Sequence, residues 1–258
     1  MISRYSVTLN GISLESLHPK ILLLDVLYPP VEYQRETIGS IKRDGSRVHR
    51  AHKEKAEVTI QFAIRAYNIA ERQQICQSVC KWARNGGRLQ INDRPGQFLD
   101  CVCDSLPSIT SARGWTDTLE VRFAAYAIPF WQDVSQTVVE LSGPNPTGYE
   151  YVNGNASWTF VEAIIVPKAT LTFITFDIND LGLYNLFYLN GLNVAANSTI
   201  NITYDQNALL SITQGNTSLL GNHSGKDDLI AVCGQINSFT YDANANCNVT
   251  LKFRGYWE

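Results

Sequence analysis

The chain has 258 residues, a formal net charge of −3, and a composition 45% apolar and 17% charged. A chain this apolar and this sparsely charged can bury a core, which excludes intrinsic disorder, and its length accommodates one large domain or two ordinary ones. Its longest apolar run near the start, "ILLL" from Ile21 to Leu24, is far too short to cross a bilayer, so no membrane association is expected.

The opening stretch "RYSVTLNG" alternates Tyr5, Val7 and Leu9 with polar neighbours and ends on an Asn-Gly turn pair, which predicts a strand and a tight turn. "ILLLDVLY" follows, closed by Pro29-Pro30. The start "MISRYSVTLNG" has no apolar signal core, so synthesis in a reducing cytoplasm is expected, and disulfides are not.

Next comes the densest positive run, Ser40 to Lys55, with Lys42, Arg43, Arg47, Arg50, Lys53, Lys55, His49 and His52 opposed only by Asp44 and Glu54. A nucleic-acid arm is one reading of such a run. Against it, the run has no aromatic residue on which a base could stack. Asp44-Gly45 is a tight-turn pair, so "YQRETIGSIKR" is expected to run out and "SRVHRAHKEKAEVTIQF" to return as a long hairpin. A two-stranded ribbon is unstable alone in water, so a partner is required, and another copy of the chain is the obvious one. The hairpin residues singled out for this contact are Arg43, Asp44, Gly45, Arg47, Arg50, Lys53 and Lys55.

The end of the returning stretch is a clear strand, with Val58, Ile60, Phe62 and Ile64 on one face and Glu57, Thr59, Gln61 and Arg65 on the other. "NIAERQQICQSVCKWARNGG" is the single good helix. Asn68 and Glu71 form a capping-box pattern, Ile75, Val79 and Trp82 a stripe, and Gly86-Gly87 the stop. Strands are predicted at "RLQI", "QFLDCVCDSL" and "DTLEVRFAAYA", with a turn at "DRPG", a loop at "SARGW" and a closing "IPFW".

Composition then changes. Residues 1–133 hold 17 Lys and Arg against 14 Asp and Glu, whereas residues 134–258 hold 4 against 10. Asparagine rises from 4 in residues 1–139 to 16 in residues 140–258. The expected organisation is a first domain over 1–133, a linker over 134–148 containing "SGPNPTG", and a second domain over 149–258. In that second part "EAIIVP", "TLTFITFDI", "NLFYLNG", "STINITYD", "LLSIT", "DLIAVCGQINSFTYD" and "NVTLKFRGYW" read as strands with Asn and Gly turns, which suggests a two-sheet sandwich or jelly roll. Its six Asn-x-Ser/Thr triplets read as turn and strand residues rather than glycan sites.

Chemistry-bearing constellations are few. Cys76 and Cys80 stand i, i+4 on the helix and Cys101 and Cys103 share a strand face, so a four-thiolate metal site is conceivable, although small core residues are the stronger reading. Cys233 and Cys247 read as core. With four histidines and no phosphate loop, nucleophile elbow or zinc-helix motif, neither enzyme nor cofactor is expected. Trp158, Tyr184, Tyr188 and Asn190 could stack and hydrogen-bond a sugar, or could fill a sandwich core.

In order, "RYSVTLNG", "YPPVEYQRETIG", the "RDGS" tip (Arg43 to Ser46), "AEVTIQFAI", the helix "ERQQICQSVCKWAR", the "DRPG" turn and the ending "AIPFW" resemble the distal tail protein family of siphophages over residues 1–133. "ITYDQNALLSITQGNTSLL" and "DDLIAVCGQINSFTYDANANCNVTLKF" resemble the galectin-like or carbohydrate-module-like sandwich often appended in that family. The resemblance implies a mainly β chain: an N-terminal sandwich-like ring domain with one α-helix and a hairpin arm, then a C-terminal sandwich. It further implies a structural virion protein at the tail tip, a homohexameric ring joining tail tube to baseplate. Its partners would be the tail tube protein and a tail-associated hub or lysin protein, with receptor-binding proteins or cell-wall glycans beyond. DNA would pass through its channel only as cargo. A carbohydrate-binding adsorption module is the alternative. Basic side chains in a channel that DNA must traverse need pairing, so the hairpin cations are expected to meet carboxylates of a neighbouring subunit or tail protein.

Overall fold

The fold is that of a computed structural model, described here for residues 5–30, 33–39, 46–109, 118–179 and 186–258, with the backbone alone for 36–39 and 46–52. The chain is mainly β and divides into two compact units, Met1–Trp131 and Gln132–Glu258.

The first unit contains β1 (Val7–Leu9), β2 (Ile12–Ser13), β3 (Ile21–Leu27), β4 (Tyr33–Gly39), β5 (Ser46–Lys53), β6 (Ala56–Ile64), α1 (Ile69–Ala83), β7 (Gly87–Ile91), β8 (Gln97–Ser105) and β9 (Leu119–Ala125). The main path runs β2-β1-β7-β8-β9-β6-β3, all antiparallel. Strand β8 joins its halves: Leu99 and Cys101 pair with β7, and Val102, Cys103 and Ser105 with β9. Val58, Ile60 and Phe62 of β6 and Leu119, Val121 and Phe123 of β9 are buried together with Ile75 and Val79 of α1. Trp82 meets Phe123 edge-on, ring centroids 6.0 Å apart.

The helix starts where Asn68 Oδ1 accepts from the Ala70 N–H at 2.9 Å. Glu71, expected to complete a capping box, instead pairs with Lys20, which ties the first turn to the approach to β3. The helix stops at Gly86, whose positive φ of 60° suits glycine and whose added Cβ would lie 2.2 Å from the Cys101 carbonyl oxygen.

The second unit follows β10 (Trp131–Asp133), with β11 (Thr137–Gly143), β12 (Thr147–Val152), β13 (Thr159–Pro167), β14 (Leu171–Ile178), β15 (Phe187–Val194), β16 (Ile200–Tyr204), β17 (Leu210–Gln214), β18 (Thr217–Ser218), β19 (His223–Gly225), β20 (Ile230–Ala231), β21 (Gln235–Ala243), β22 (Cys247–Phe253) and β23 (Tyr256–Trp257). One sheet has the order β11-β22-β13-β16-β17-β18, with β20 beside β13, and the other β12-β21-β14-β15-β19. Their buried faces meet: Phe239 of β21 stacks on Phe253 of β22 at 5.4 Å. A Cβ on Gly148 would lie 2.7 Å from Leu141, so β12 approaches β11 only through glycine.

Three expectations change. The stretch 134–148 is not a linker, since β11 and the start of β12 lie within it; its Pro and Gly residues make the turn by which the chain leaves one sheet for the other. The run through "DLIAVCGQINSFTYD" is two strands, broken at Gly234 with φ 76°. The returning hairpin strand does not continue into Val58: it ends at Lys53, and β6 belongs to a different sheet.

Two polar side chains inside the sandwich are fully satisfied. Asn237 is completely buried; its Oδ1 accepts from Val232 N–H and Asn179 Nδ2, and its Nδ2 donates to Val232 O and Gln235 O. The Tyr241 hydroxyl lies 2.7 Å from the carbonyl oxygens of both Gly143 and Cys247 and accepts from the Cys247 N–H at 3.2 Å. It thus ties β21 to the ends of two strands in the opposite sheet. Tyr241→Phe strands these buried groups and is expected to cost about 1–3 kcal/mol, read as a lowered urea midpoint at unchanged slope; an unaltered midpoint would show that the hydroxyl ties nothing.

Candidate functional site

Strands β4 and β5 pair from Tyr33↔Lys53 to Gly39↔Ser46, with a bulge between Glu36 and Thr37. They form a sheet of their own, and among the described residues neither has a second strand partner. The hairpin is therefore an arm with two open edges, the arrangement that seeks another chain.

Its root is built from three stretches that are distant in sequence. Tyr28, just before the two prolines, donates its hydroxyl hydrogen to the Asp93 carboxylate, 2.8 and 2.7 Å from the two oxygens. Burial and this carboxylate push the Tyr28 phenol up, so it stays a donor. Arg94 lies over the rings of both Tyr28 (5.2 Å) and Trp131 (4.9 Å), and those rings meet edge-on at 6.1 Å. The proline segment, the "DRPG" turn and the aromatic ending are thus one cluster. On the other strand, Lys53 Nζ sits over the Phe130 ring at 5.2 Å. Lys55 pairs with Glu57 and lies 6.0 Å from the ring of Tyr126, whose hydroxyl donates to Asp104 at 2.8 Å. Both strands leave from a fixed base. Arg94→Ala removes two cation–π contacts and is expected to lower stability by about 1–2 kcal/mol and to speed amide exchange across 33–39 and 46–53; unchanged exchange there would show that the cluster does not hold the arm.

Of the hairpin residues singled out from sequence, Arg43, Asp44 and Gly45 lie outside the described residues. Arg47 stands opposite Ile38 and Arg50 opposite Glu36 in the backbone register. Lys55 pairs with Glu57, two residues on along the chain.

The four thiols considered for metal are not gathered into one site. Cys76 and Cys80 both donate to the Pro107 carbonyl at 3.6 Å, whereas Cys101 turns to Gly87 O and Cys103 to Ser105 O. Among the described residues no group of three or more His, Cys, Asp or Glu could hold a metal ion. Burial pushes Cys76 up to about 11, helped by Cys80 beside it, and Cys247 up to about 11. Free thiols titrate near 8.5, so above that pH the unfolded chain sheds protons that the folded chain keeps. Stability is therefore fully present below about pH 8.5 and falls as pH rises towards 11. Under reducing conditions the guanidinium midpoint should drop over this window, and drop less for Cys247→Ala; a flat profile would contradict it.

Of the residues considered for sugar, the three that are described divide between the two sheets. Trp158 packs edge-on against Phe160 (4.8 Å) and Tyr256 (5.9 Å) beside β13, in one sheet. Tyr188 and Asn190 project from β15, in the other sheet, and Tyr184 lies outside the described residues. Tyr188 has company that sequence reading missed: Tyr149 and Tyr151 of β12, at i, i+2 in "TGYEYV", occupy the same outer face. That i, i+2 spacing was the available signal.

Such a two-unit, mainly β chain with a separate two-stranded hairpin has a fold seen in a solved structure. The chain is similar to a solved structure described as SPP1 Dit, a paradigm of the hub adsorption apparatus in phages infecting Gram-positive bacteria. The TM-score is 0.72 at 9% identity, over 99% of this chain and 100% of that one. Two structures of the phage P2 baseplate in its activated conformation, one with Ca and one with Sr, give TM-scores of 0.47 and 0.45 at 11% and 12% identity, over 97% of each chain. No family model and no curated protein matches the sequence.

Proposed function

We propose that this chain is a structural protein of a long, non-contractile phage tail, a hub ring at the tail tip, with no catalytic role. The observation that carries the reading is the end-to-end likeness to SPP1 Dit at a TM-score of 0.72, which takes in both units. The arm supports it physically. Two open strand edges on a fixed base suit heterologous contacts that close into a ring. Six copies surround a channel through which DNA passes as cargo. The tail tube protein meets one face and a tail-associated hub or lysin protein the other; the ring resides in the virion.

Light scattering coupled to size exclusion tests this directly. The expected mass is that of six chains, or twice six where rings stack. Replacing residues 34–52 with a two-residue Asn-Gly turn should reduce the particle to single chains that remain folded by circular dichroism. A full-length protein that stays a monomer at high concentration would overturn the ring.

A further inference from the structure

We propose that Asn153 is a self-modification site: the Asn153-Gly154 peptide converts this asparagine to aspartate and isoaspartate, and the product loosens the clamp on the last strand. The proposal goes beyond the hub reading and does not depend on it. Four Asn-Gly pairs occur in the sequence: Asn10-Gly11, Asn85-Gly86, Asn153-Gly154 and Asn190-Gly191. Glycine in second place lets the asparagine side-chain carbonyl come close to the next backbone nitrogen, because no Cβ stands in the way. All four asparagines are exposed, so exposure does not choose among them. The choice falls on whether the side-chain amide and the following N–H are already engaged.

At three of the pairs they are held. Asn10 Oδ1 accepts from the Arg88 N–H at 2.9 Å and its Nδ2 donates to Gly86 O at 3.0 Å, so that amide is fixed at both ends. After Asn85 it is the nucleophile that is held: the Gly86 N–H donates to Ala83 O at 2.9 Å. Asn190 Nδ2 donates to Ser224 Oγ at 3.4 Å, and the carbonyls of Asn190 and Gly191 both accept from Asn222 Nδ2, at 2.9 and 3.0 Å. Asn153-Gly154 differs. It lies just past the end of β12, and among the described residues neither the Asn153 side-chain amide nor the Gly154 N–H makes a hydrogen bond.

The step balances with water alone. The Gly154 nitrogen gives its proton to solvent base and attacks Asn153 Cγ. The new C–N bond closes a cyclic imide, the bond from Cγ to Nδ2 breaks, and ammonia leaves. Water then opens the ring at either carbonyl, giving aspartate, or isoaspartate with the main chain rerouted through the former side chain. Position gives the product its effect. Asn155 and Ala156 donate their N–H groups to Tyr256 O at 3.0 and 3.1 Å, and Asn155 Oδ1 accepts from the Glu258 N–H at 2.8 Å, which clamps β23. Isoaspartate lengthens the main chain just ahead of this clamp. The new carboxylate also arrives beside an old one. Asn153 Cβ and Asp133 Oδ2 lie 2.9 and 2.3 Å from where a Cβ on Gly255 would stand, and Asp133 Oδ1 accepts from Trp257 Nε1 of β23. Two carboxylates flanking one glycine repel.

The test is peptide mapping by mass spectrometry after the full chain has stood at mildly alkaline pH in heavy-oxygen water. In the folded chain Asn153 should take up label faster than the other three asparagines, and about tenfold or more faster than Asn10, which must first break two hydrogen bonds. In urea, where no fold holds any pair, the four rates should converge. Because Asn153 is exposed, Asn153→Asp should fold, with a urea midpoint lowered at neutral pH and lowered less in an Asp133→Asn background. Label uptake at Asn153 no faster than at Asn10 and Asn85 in the folded chain, the same ranking of sites in urea as in the fold, or an Asn153→Asp midpoint equal to wild type would each overturn the proposal.

Discussion

A ribbon of two strands, with water on every side, does not hold itself together. In this molecule β4 and β5 pair only with each other among the described residues. That single constraint orders the rest of the first unit. At the root of the ribbon Lys53 sits over Phe130, and Tyr28, just before β4 in the chain, clusters with Asp93, Arg94 and Trp131. Lys53 and Lys55, the two nearest the base, are already engaged with Phe130, Tyr126 and Glu57.

The second unit answers a different requirement. Two sheets must be kept in one registration although their strands alternate along the chain. Burial of apolar faces holds sheets together without fixing their offset, whereas directional groups fix it. Tyr241 reaching across to Gly143 and Cys247, and Asn237 closing the turn at 232–235, supply that direction. Gly148 lets the sheets approach where a side chain would wedge them apart.

What could be read from the sequence, and what could not, divides along local and non-local lines. The helix was legible because Asn68, the Ile75–Val79 stripe and Gly86 are local signals, and each does in the structure what its chemistry allows. The alternation of Val58, Ile60 and Phe62 was equally plain. The break between β5 and β6 was not, because the polar run from His52 to Lys55 holds no Gly or Pro to mark it, and the change of sheet there is a choice made by tertiary packing. The run around Pro144 and Pro146 misled for the opposite reason: strong turn residues drew attention away from Val139 and Leu141, which are buried in β11. Glu71 matched a capping pattern but found a better partner in Lys20. The sugar candidates failed as a set because shared residue types say nothing about which sheet a strand joins.

The register shift opposite Glu36 and Thr37, where β5 has one residue more than β4, would act as an index mark for any strand added to the arm. An ordinary strand edge is periodic, so an added strand can slide by two residues and still make its ladder of hydrogen bonds. A bulge interrupts that period at one place. A strand laid along β5, which carries the extra residue, would have to meet the interruption at a matching point or leave bonds unmade on one side of it. The irregularity turns a repetitive edge into one that counts.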